Sequence, residues 1–121
     1  MQSLGSSVYV EARPLRRLGQ NFLVDKTARS LIVKSADLCR SDIVLEVGPG
    51  SGFLTEALIA RAGKVIAIEK DPRLVNLLKH KHKGNRRLRI IEGDVLKTKM
   101  PGFNKVVCSP PYYISSRLIL L

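Results

Sequence analysis

One stretch decides the fold of this 121-residue chain: Ile43-Val44-Leu45-Glu46-Val47-Gly48-Pro49-Gly50-Ser51-Gly52. Its first five residues form a short β-branched run of the kind that fills a buried parallel strand. Glycines then occupy alternate positions, so the backbone can turn sharply and approach a ligand with no side chain in between. Residues 53–60 follow with a helical pattern. The stretch therefore predicts a strand, a ligand-binding loop and a helix.

The same alternation of strands and helices continues on both sides of this stretch. Asp25 is placed to cap a helix that runs to about Leu38. Further strands are predicted at Lys64–Glu69, 89–92 and Lys105–Cys108, and a third helix at Pro72–Lys81. Strands and helices in this order predict an α/β fold, a Rossmann-like parallel sheet with right-handed crossovers and helices on both faces.

The chain reads as one domain with a short leader. Residues 1–19 are interpreted as a basic lead-in and residues 20–121 as the domain itself. The last five residues form an apolar run without a cap, a glycine or a polar tail. Because a helix normally ends with such a signal, we expect the domain to be incomplete and cut after its fourth predicted strand.

Charge and composition narrow the classes of partner. The chain has 21 Lys and Arg against 10 Asp and Glu, a net charge of +11. This excess favours a polyanionic partner, with a merely solubilising surface as the alternative. The sequence shows no signal peptide, no membrane-spanning run and no basic amphipathic helix with an aromatic face. We therefore expect a cytoplasmic protein that binds no membrane, with Cys39 and Cys108 reduced and buried.

The glycine loop and the ends of the next strands predict a cofactor site. A dinucleotide loop has its third glycine one place later than Gly52, so this tighter loop suits S-adenosylmethionine, which has no pyrophosphate. Gly48 and Gly50 are expected to face the cofactor. Glu69 follows the first glycine by about 20 residues, where an acid can accept both ribose hydroxyls. Asp94 is placed to accept from the adenine amino group, although a turn or cap role explains it equally well.

The fourth predicted strand leads into Ser109-Pro110-Pro111-Tyr112. The two prolines stiffen this loop and remove backbone donors, and the aromatic ring can stack on a flat base. The loop resembles the N-P-P-Y motif of methyltransferases that act on planar amino groups. In those enzymes the Asn side chain and a proline carbonyl accept the amino hydrogens, and the aromatic holds an extruded base.

A second motif narrows the resemblance. Gly19-Gln20-Asn21-Phe22-Leu23 resembles the G-Q-[NH]-F-L signature of the KsgA-type ribosomal RNA adenine dimethyltransferases, and residues 44–55, 91–94 and 111–116 match the same family. The resemblance runs from about Arg17 to the last residue. It implies dimethylation of adjacent adenines in small-subunit ribosomal RNA, with S-adenosylmethionine and without a metal. The implied partner is this RNA or a pre-ribosomal particle, and the completed protein is expected to be monomeric.

The resemblance also assigns the site residues. Those implied to line the cofactor or the methyl-transfer centre are Asn21, Leu23, Gly48, Gly50, Glu69, Asp94 and Ser109. The catalytic set is Ser109, Pro110 and Tyr112, with Tyr112 stacking on the target adenine. Ser109 stands where the family has Asn, and its shorter hydroxyl reaches less far. Losing one such positioned partner typically costs on the order of a hundredfold in rate.

Three other functions stay open on the sequence alone. The first is a non-catalytic RNA-binding relative, which Ser109 and the short chain favour. The second is an amino-group methyltransferase that acts on DNA or protein, and the motif at residues 19–23 argues against it. A nicotinamide dehydrogenase is disfavoured by the position of Gly52. For RNA contact we favour Arg13, Arg16 and Arg17, while His80 and His82 are interpreted as part of a solvated basic helix end.

Overall fold

The fold is seen in a computed structural model that describes residues 8–11 and 26–108. Five parallel strands form one sheet in the order β1-β5-β2-β3-β4. Its elements are β1 (Val8–Glu11), α1 (Lys26–Ala36), β2 (Ile43–Val47), α2 (Phe53–Ile59), β3 (Lys64–Glu69), α3 (Pro72–Lys81), β4 (Leu88–Glu92) and β5 (Lys105–Cys108). The four predicted strands and three predicted helices are confirmed, each with bounds within two residues of the prediction.

Strand β1 corrects the count of four strands. It pairs in parallel with β5, in a register that runs from Val8 opposite Lys105 to Glu11 opposite Cys108. These residues belong to the segment that was predicted from the sequence to be a basic lead-in. A four-residue edge strand has too few residues to show a clear periodicity, and its partner lies at the far end of the described chain. Pairing over that distance leaves no local signal in the sequence.

The sheet separates two apolar clusters. On one face, Val44, Val65 and Val107 pack against α1 and α2. On the other face, Leu45, Ile66 and Val106 pack against residues 95–103 of the connection between β4 and β5. Burial on both faces explains why β2, β3 and β5 read as continuous apolar runs. The helices expected on the second face are not among the described residues.

A polar network joins the starting edges of the central strands. The Lys105 ammonium donates to the Ala36 and Asp37 carbonyls, both at 2.8 Å, and pairs with the buried Asp42 carboxylate at 3.0 Å. Asn104 also donates to Asp42, at 2.8 Å. Burial opposes ionisation of Asp42, but the hydrogen bonds from Asn104 and the Cys39 N–H and the Lys105 charge lower its pKa to about 2. The network fixes the end of α1 against the beginnings of β2 and β5.

A second basic side chain closes the end of α2. The Arg40 guanidinium donates to the carbonyls of Ile59, Ala60 and Ala62, at 3.2, 2.9 and 2.8 Å. These carbonyls lie where a helix end leaves backbone acceptors without partners inside the helix. The contact holds α2 in place, so the glycine loop at its other end has a fixed support. Cys39, next to Arg40, is exposed, and the expectation that it is buried was wrong.

Candidate cofactor site at the carboxyl edge of the sheet

The glycine loop has the conformation that its sequence requires. Gly48, Gly50 and Gly52 have φ angles of 68°, 57° and 88°, in the left-handed region that favours glycine. The loop begins with a hydrogen bond from the Gly48 N–H to the Ile68 carbonyl, at 2.9 Å. Alternating left-handed residues turn the backbone back on itself between β2 and α2. The result is a stretch of main chain that a ligand can approach closely.

Close packing is a second reason for glycine at position 52. A Cβ atom at Gly52 would lie 2.7 Å from the Leu78 Cδ2 atom, and Leu78 is fully buried in α3. Any larger residue would therefore have to displace the buried Leu78 side chain, α3 or the loop. Because α3 packs directly on the loop, the loop is supported from both β2 and α3.

Glu69 connects the loop to the next strand. It is the last residue of β3 and only 8% exposed. Its Oε1 atom accepts the Gly50 N–H at 3.2 Å, and its Oε2 atom accepts the Asp71 N–H at 3.0 Å. A carboxylate has about four acceptor positions, so each oxygen retains capacity for one further donor. The backbone thus orients this carboxylate beside the loop, with acceptor capacity left for two hydroxyl donors.

Glu46 is a second acid near the loop, and the sequence alone predicted no role for it. Its side chain is fully buried in β2, and its Oε1 atom accepts the Thr55 hydroxyl at 2.5 Å. The Oε2 atom is buried without a hydrogen-bond partner. Burial raises the pKa of Glu46 to about 7, the Thr55 hydrogen bond opposes the rise, and the Glu69 charge adds to it. A glutamate inside a run of buried β-branched residues was the signal that could have identified this group.

Asp94 follows β4 and has a structural role. Its Oδ1 atom accepts the Leu96 N–H at 2.9 Å, and its carbonyl accepts the Thr98 hydroxyl at 2.7 Å. One carboxylate oxygen is thus engaged in a turn of the kind that Asp commonly forms. The side chain is half-buried, one strand beyond Glu69. Contact between Asp94 and an adenine amino group stays a prediction.

The strand order brings the described site residues to one edge. Gly48 follows β2, Glu69 ends β3 and Asp94 follows β4, and these three strands are neighbours with their carboxyl ends at the same edge. Strand β5 flanks β2 on the other side, with Cys108 opposite Val47. From β2 the chain continues to β3 and β4 on one side, and it then returns to form β5 on the other side of β2. The strand order reverses at β2, so the crevice for a ligand lies at the end of this strand. The other site residues, Asn21, Leu23, Ser109, Pro110 and Tyr112, lie outside the described residues.

The described residues, 8–11 and 26–108, include neither a cluster that could bind a metal ion nor a helix that could span a membrane. No group of three or more His, Cys, Asp or Glu side chains in this part of the chain could hold a metal ion. No helix there is long and apolar enough to cross a membrane. His80 is exposed, whereas burial lowers the pKa of His82.

The fold and the site together define a class of protein. A parallel sheet with a glycine loop after β2 and an oriented acid at the end of β3 is the arrangement of a Rossmann-like methyltransferase domain.

Comparisons with known proteins give the family. A family model described as ribosomal RNA adenine dimethylase matches residues 13–120. The "Probable ribosomal RNA small subunit methyltransferase A" of Methanococcoides burtonii is 53% identical over 97 residues, which cover 80% of this chain and 36% of that protein. The chain therefore belongs to the ribosomal RNA adenine dimethylase family. It spans a little more than a third of the length of the curated relatives it matches.

Solved structures agree with this assignment. A dimethyladenosine transferase from Plasmodium falciparum has a TM-score of 0.72 and 39% identity, with 79% of this chain and 36% of that chain covered. The 23S rRNA methyltransferase ErmE has a TM-score of 0.71 and 35% identity, with 78% and 39% covered. Both similarities confirm the fold predicted from the sequence.

Proposed function

We propose that this chain binds S-adenosylmethionine and takes part in dimethylation of the 6-amino groups of adjacent adenines in small-subunit ribosomal RNA. The observation that carries the proposal is the Glu69 carboxylate, which two backbone N–H groups orient beside a glycine loop. Membership of the ribosomal RNA adenine dimethylase family supplies the reaction and the class of substrate.

The described residues fit the proposed cofactor. The Glu69 oxygens have acceptor capacity left for the two ribose hydroxyls, and the bare backbone at Gly48 and Gly50 leaves space for the amino-acid end of the cofactor. Asp94 retains one carboxylate oxygen for the adenine amino group. When bound, the cofactor supplies the electrophilic methyl group. The protein's part is to hold it still and to exclude water from the edge of the sheet.

The catalytic part of the proposal rests on the loop that follows β5. Pro110 would accept an amino hydrogen of adenine through its carbonyl, Ser109 would accept or position the other, and Tyr112 would stack on the base. Ser109 in place of Asn favours one alternative function, a non-catalytic RNA-binding relative.

Calorimetric titration with S-adenosylmethionine tests the cofactor site. We expect saturable binding by the chain and at least a hundredfold weaker binding by Glu69→Ala, since a hydrogen bond to a charged group contributes about 1.5–3 kcal/mol and two are lost. Glu92→Ala is the matched control, because Glu92 is exposed, ends β4 and lies opposite Glu69 in the sheet. Equal affinity of the Glu69 and Glu92 variants would refute the assignment of Glu69.

Transfer of labelled methyl groups to a small-subunit ribosomal RNA transcript tests the reaction. Ser109→Asn should raise the rate on the order of a hundredfold if Ser109 stands in for a positioned amide. Tyr112→Ala should abolish transfer without changing affinity for S-adenosylmethionine. RNA binding with no transfer by either the wild-type chain or Ser109→Asn would contradict the enzymatic proposal and favour the binding relative.

A further inference from the structure

A groove separates α1 from α2 on the helical face of the sheet. It is open, has a volume of about 480 Å³, and none of the residues predicted to bind the cofactor lines it. The residues that line it are Arg29, Ser30, Val33, Lys34, Ala57, Ala60 and Arg61.

The groove follows from the sequence of the two helices. On α1, Arg29 and Val33 are four residues apart, as are Ser30 and Lys34, so both pairs share the face that looks toward α2. On the facing side, Ala57 of α2 and Ala60 directly after that helix are small. Two alanines opposite a valine leave the helices in contact at the base and open at the surface. The groove therefore has an apolar floor and a rim of hydroxyl and cationic groups.

Within the described residues, none of the three cations of the rim forms an ion pair. Within the described part of the chain, ion pairs engage Arg73, Lys81 and Lys105, and none involves the groove cations. The nearest acid of α2, Glu56, already pairs with Lys81 at 2.7 Å. The charge of Glu56 also acts on Arg29. The cations of the groove whose charge no described acid pairs with are therefore Lys34 and Arg61.

Arg29 is held in a fixed orientation at one end of the groove. Its guanidinium lies 4.0 Å from the centre of the Phe53 ring and donates to the Phe53 carbonyl at 3.0 Å. Lys34 lies further along the same helix, and the helical rise separates its Cα atom from that of Arg29 by about 7.5 Å along the helix axis. Lys34 and Arg61 are exposed. Three cations spaced along a groove suit a chain of anions better than a single small ion.

We propose that this groove, which none of the predicted cofactor residues lines, binds the phosphodiester backbone of RNA. This inference takes its class of ligand, RNA, from the proposed function. The cations meet phosphates, Ser30 offers a hydroxyl donor, and the apolar floor of Val33, Ala57 and Ala60 accommodates the sugar face. Helix α2 begins directly after the glycine loop and runs along this groove, from Phe53 beside Arg29 to its end before Arg61. RNA bound here is therefore positioned by the same rigid element that supports the cofactor site.

The test measures binding of a fluorescent oligouridylate against salt concentration. This probe carries phosphates but no adenine, so its binding does not depend on recognition of a target base. The variant Lys34→Gln/Arg61→Gln removes two exposed cations of the groove and leaves Arg29 in place. Lys83→Gln/Arg86→Gln removes the same charge from the exposed turn after α3 and serves as the matched control.

We expect the groove variant to reduce the slope of log K against log salt by about 0.7 for each lost phosphate contact. At 0.1 M salt this corresponds to about fivefold per contact, or about 25-fold for the pair. The control should lose clearly less affinity, and the charge reversal Lys34→Glu/Arg61→Glu should lose more than the neutral variant. Far-UV circular dichroism of each variant establishes that the fold is retained.

Other outcomes would overturn the proposal. Equal losses in the groove and control variants would show that only the general field of the chain attracts RNA. If the wild-type chain did not bind oligouridylate, the groove would not be an RNA-binding site. If polyglutamate bound as tightly as RNA, and if the groove variant lost this binding, the groove would be assigned to an acidic protein segment. Titration with S-adenosylmethionine in parallel separates the two proposals, because it reports on Glu69 and not on the groove.

Discussion

Replacement of Glu46 by glutamine should change how stability depends on pH. The carboxyl group is fully buried with one oxygen unpartnered, and burial raises its pKa from 4.5 to about 7. Below pH 4.5 the group is protonated in both the folded and the unfolded chain and contributes no pH dependence. Between pH 4.5 and 7 the unfolded chain releases the proton more readily, so stability falls as pH rises. Above about pH 7 the loss is complete.

The size of this effect follows from the shift. Each pKa unit corresponds to 1.36 kcal/mol, so the change from 4.5 to about 7 corresponds to about 3 kcal/mol of lost stability. Glutamine keeps an oxygen that accepts from Thr55 and cannot ionise. Its buried amide donors carry a cost of about 1–3 kcal/mol that does not depend on pH. The stability of Glu46→Gln relative to wild type should therefore rise by about 3 kcal/mol between pH 4.5 and 8.

Urea unfolding followed by circular dichroism, at intervals of one pH unit, measures this difference. His82 also titrates in the interval, with a lowered pKa that makes its own contribution increase with pH, but it is present in both proteins and cancels. Glu92→Gln is the control, because Glu92 is exposed at the end of β4. A difference between Glu46→Gln and wild type that stays flat from pH 4.5 to 8 would refute the reasoning and mean that the Glu46 carboxylate is already stabilised as an anion.

Two further predictions concern the packing and the ionic network. Gly52→Ala should destabilise more than Gly84→Ala by about 1–3 kcal/mol in urea unfolding, because both glycines have positive φ but only at Gly52 would a Cβ meet a neighbour, the Leu78 Cδ2 atom at 2.7 Å. Equal losses would show that only the backbone conformation matters. Asp42 has a pKa lowered to about 2, so its stabilisation, about 2 kcal/mol, is present above pH 3.8 and is lost as pH falls through 2. Acid titrations of wild type and Asp42→Asn should therefore converge near pH 2, and a gap that persists there would contradict an ionic origin.

The elements that the sequence predicted have their signals within a few residues. Helix α3 shows this best, because Asp71 caps it by accepting the Arg73 N–H at 2.9 Å and Pro72 occupies its first turn. Strand β2 and the glycine loop were equally readable, since burial on both faces and positive φ each demand particular residue types. Strand β1 was missed because its stability comes from pairing with β5, a partner that the local sequence does not reveal.

Residues of the candidate site could be predicted from the sequence where the backbone conformation requires a particular residue type. Gly48, Gly50 and Glu69 were predicted from spacing, and the parallel sheet brings them to one edge, while their contact with a cofactor stays a prediction. Glu46 was not identified, because its burial against Thr55 depends on how α2 packs on the sheet. The groove between α1 and α2 was also missed, since alanines on a helix look like ordinary packing residues until the facing helix is known.

Strand β1 has a consequence for synthesis of the chain. Its partner, β5, is made roughly a hundred residues later, so the first strand leaves the ribosome about 5–20 s before anything is available to pair with it at ordinary elongation rates. During that interval β2 and β3 can already associate, and the edge that β5 will occupy stays open. The middle of this sheet can therefore assemble during translation, whereas β1 can join only after β5 has been made.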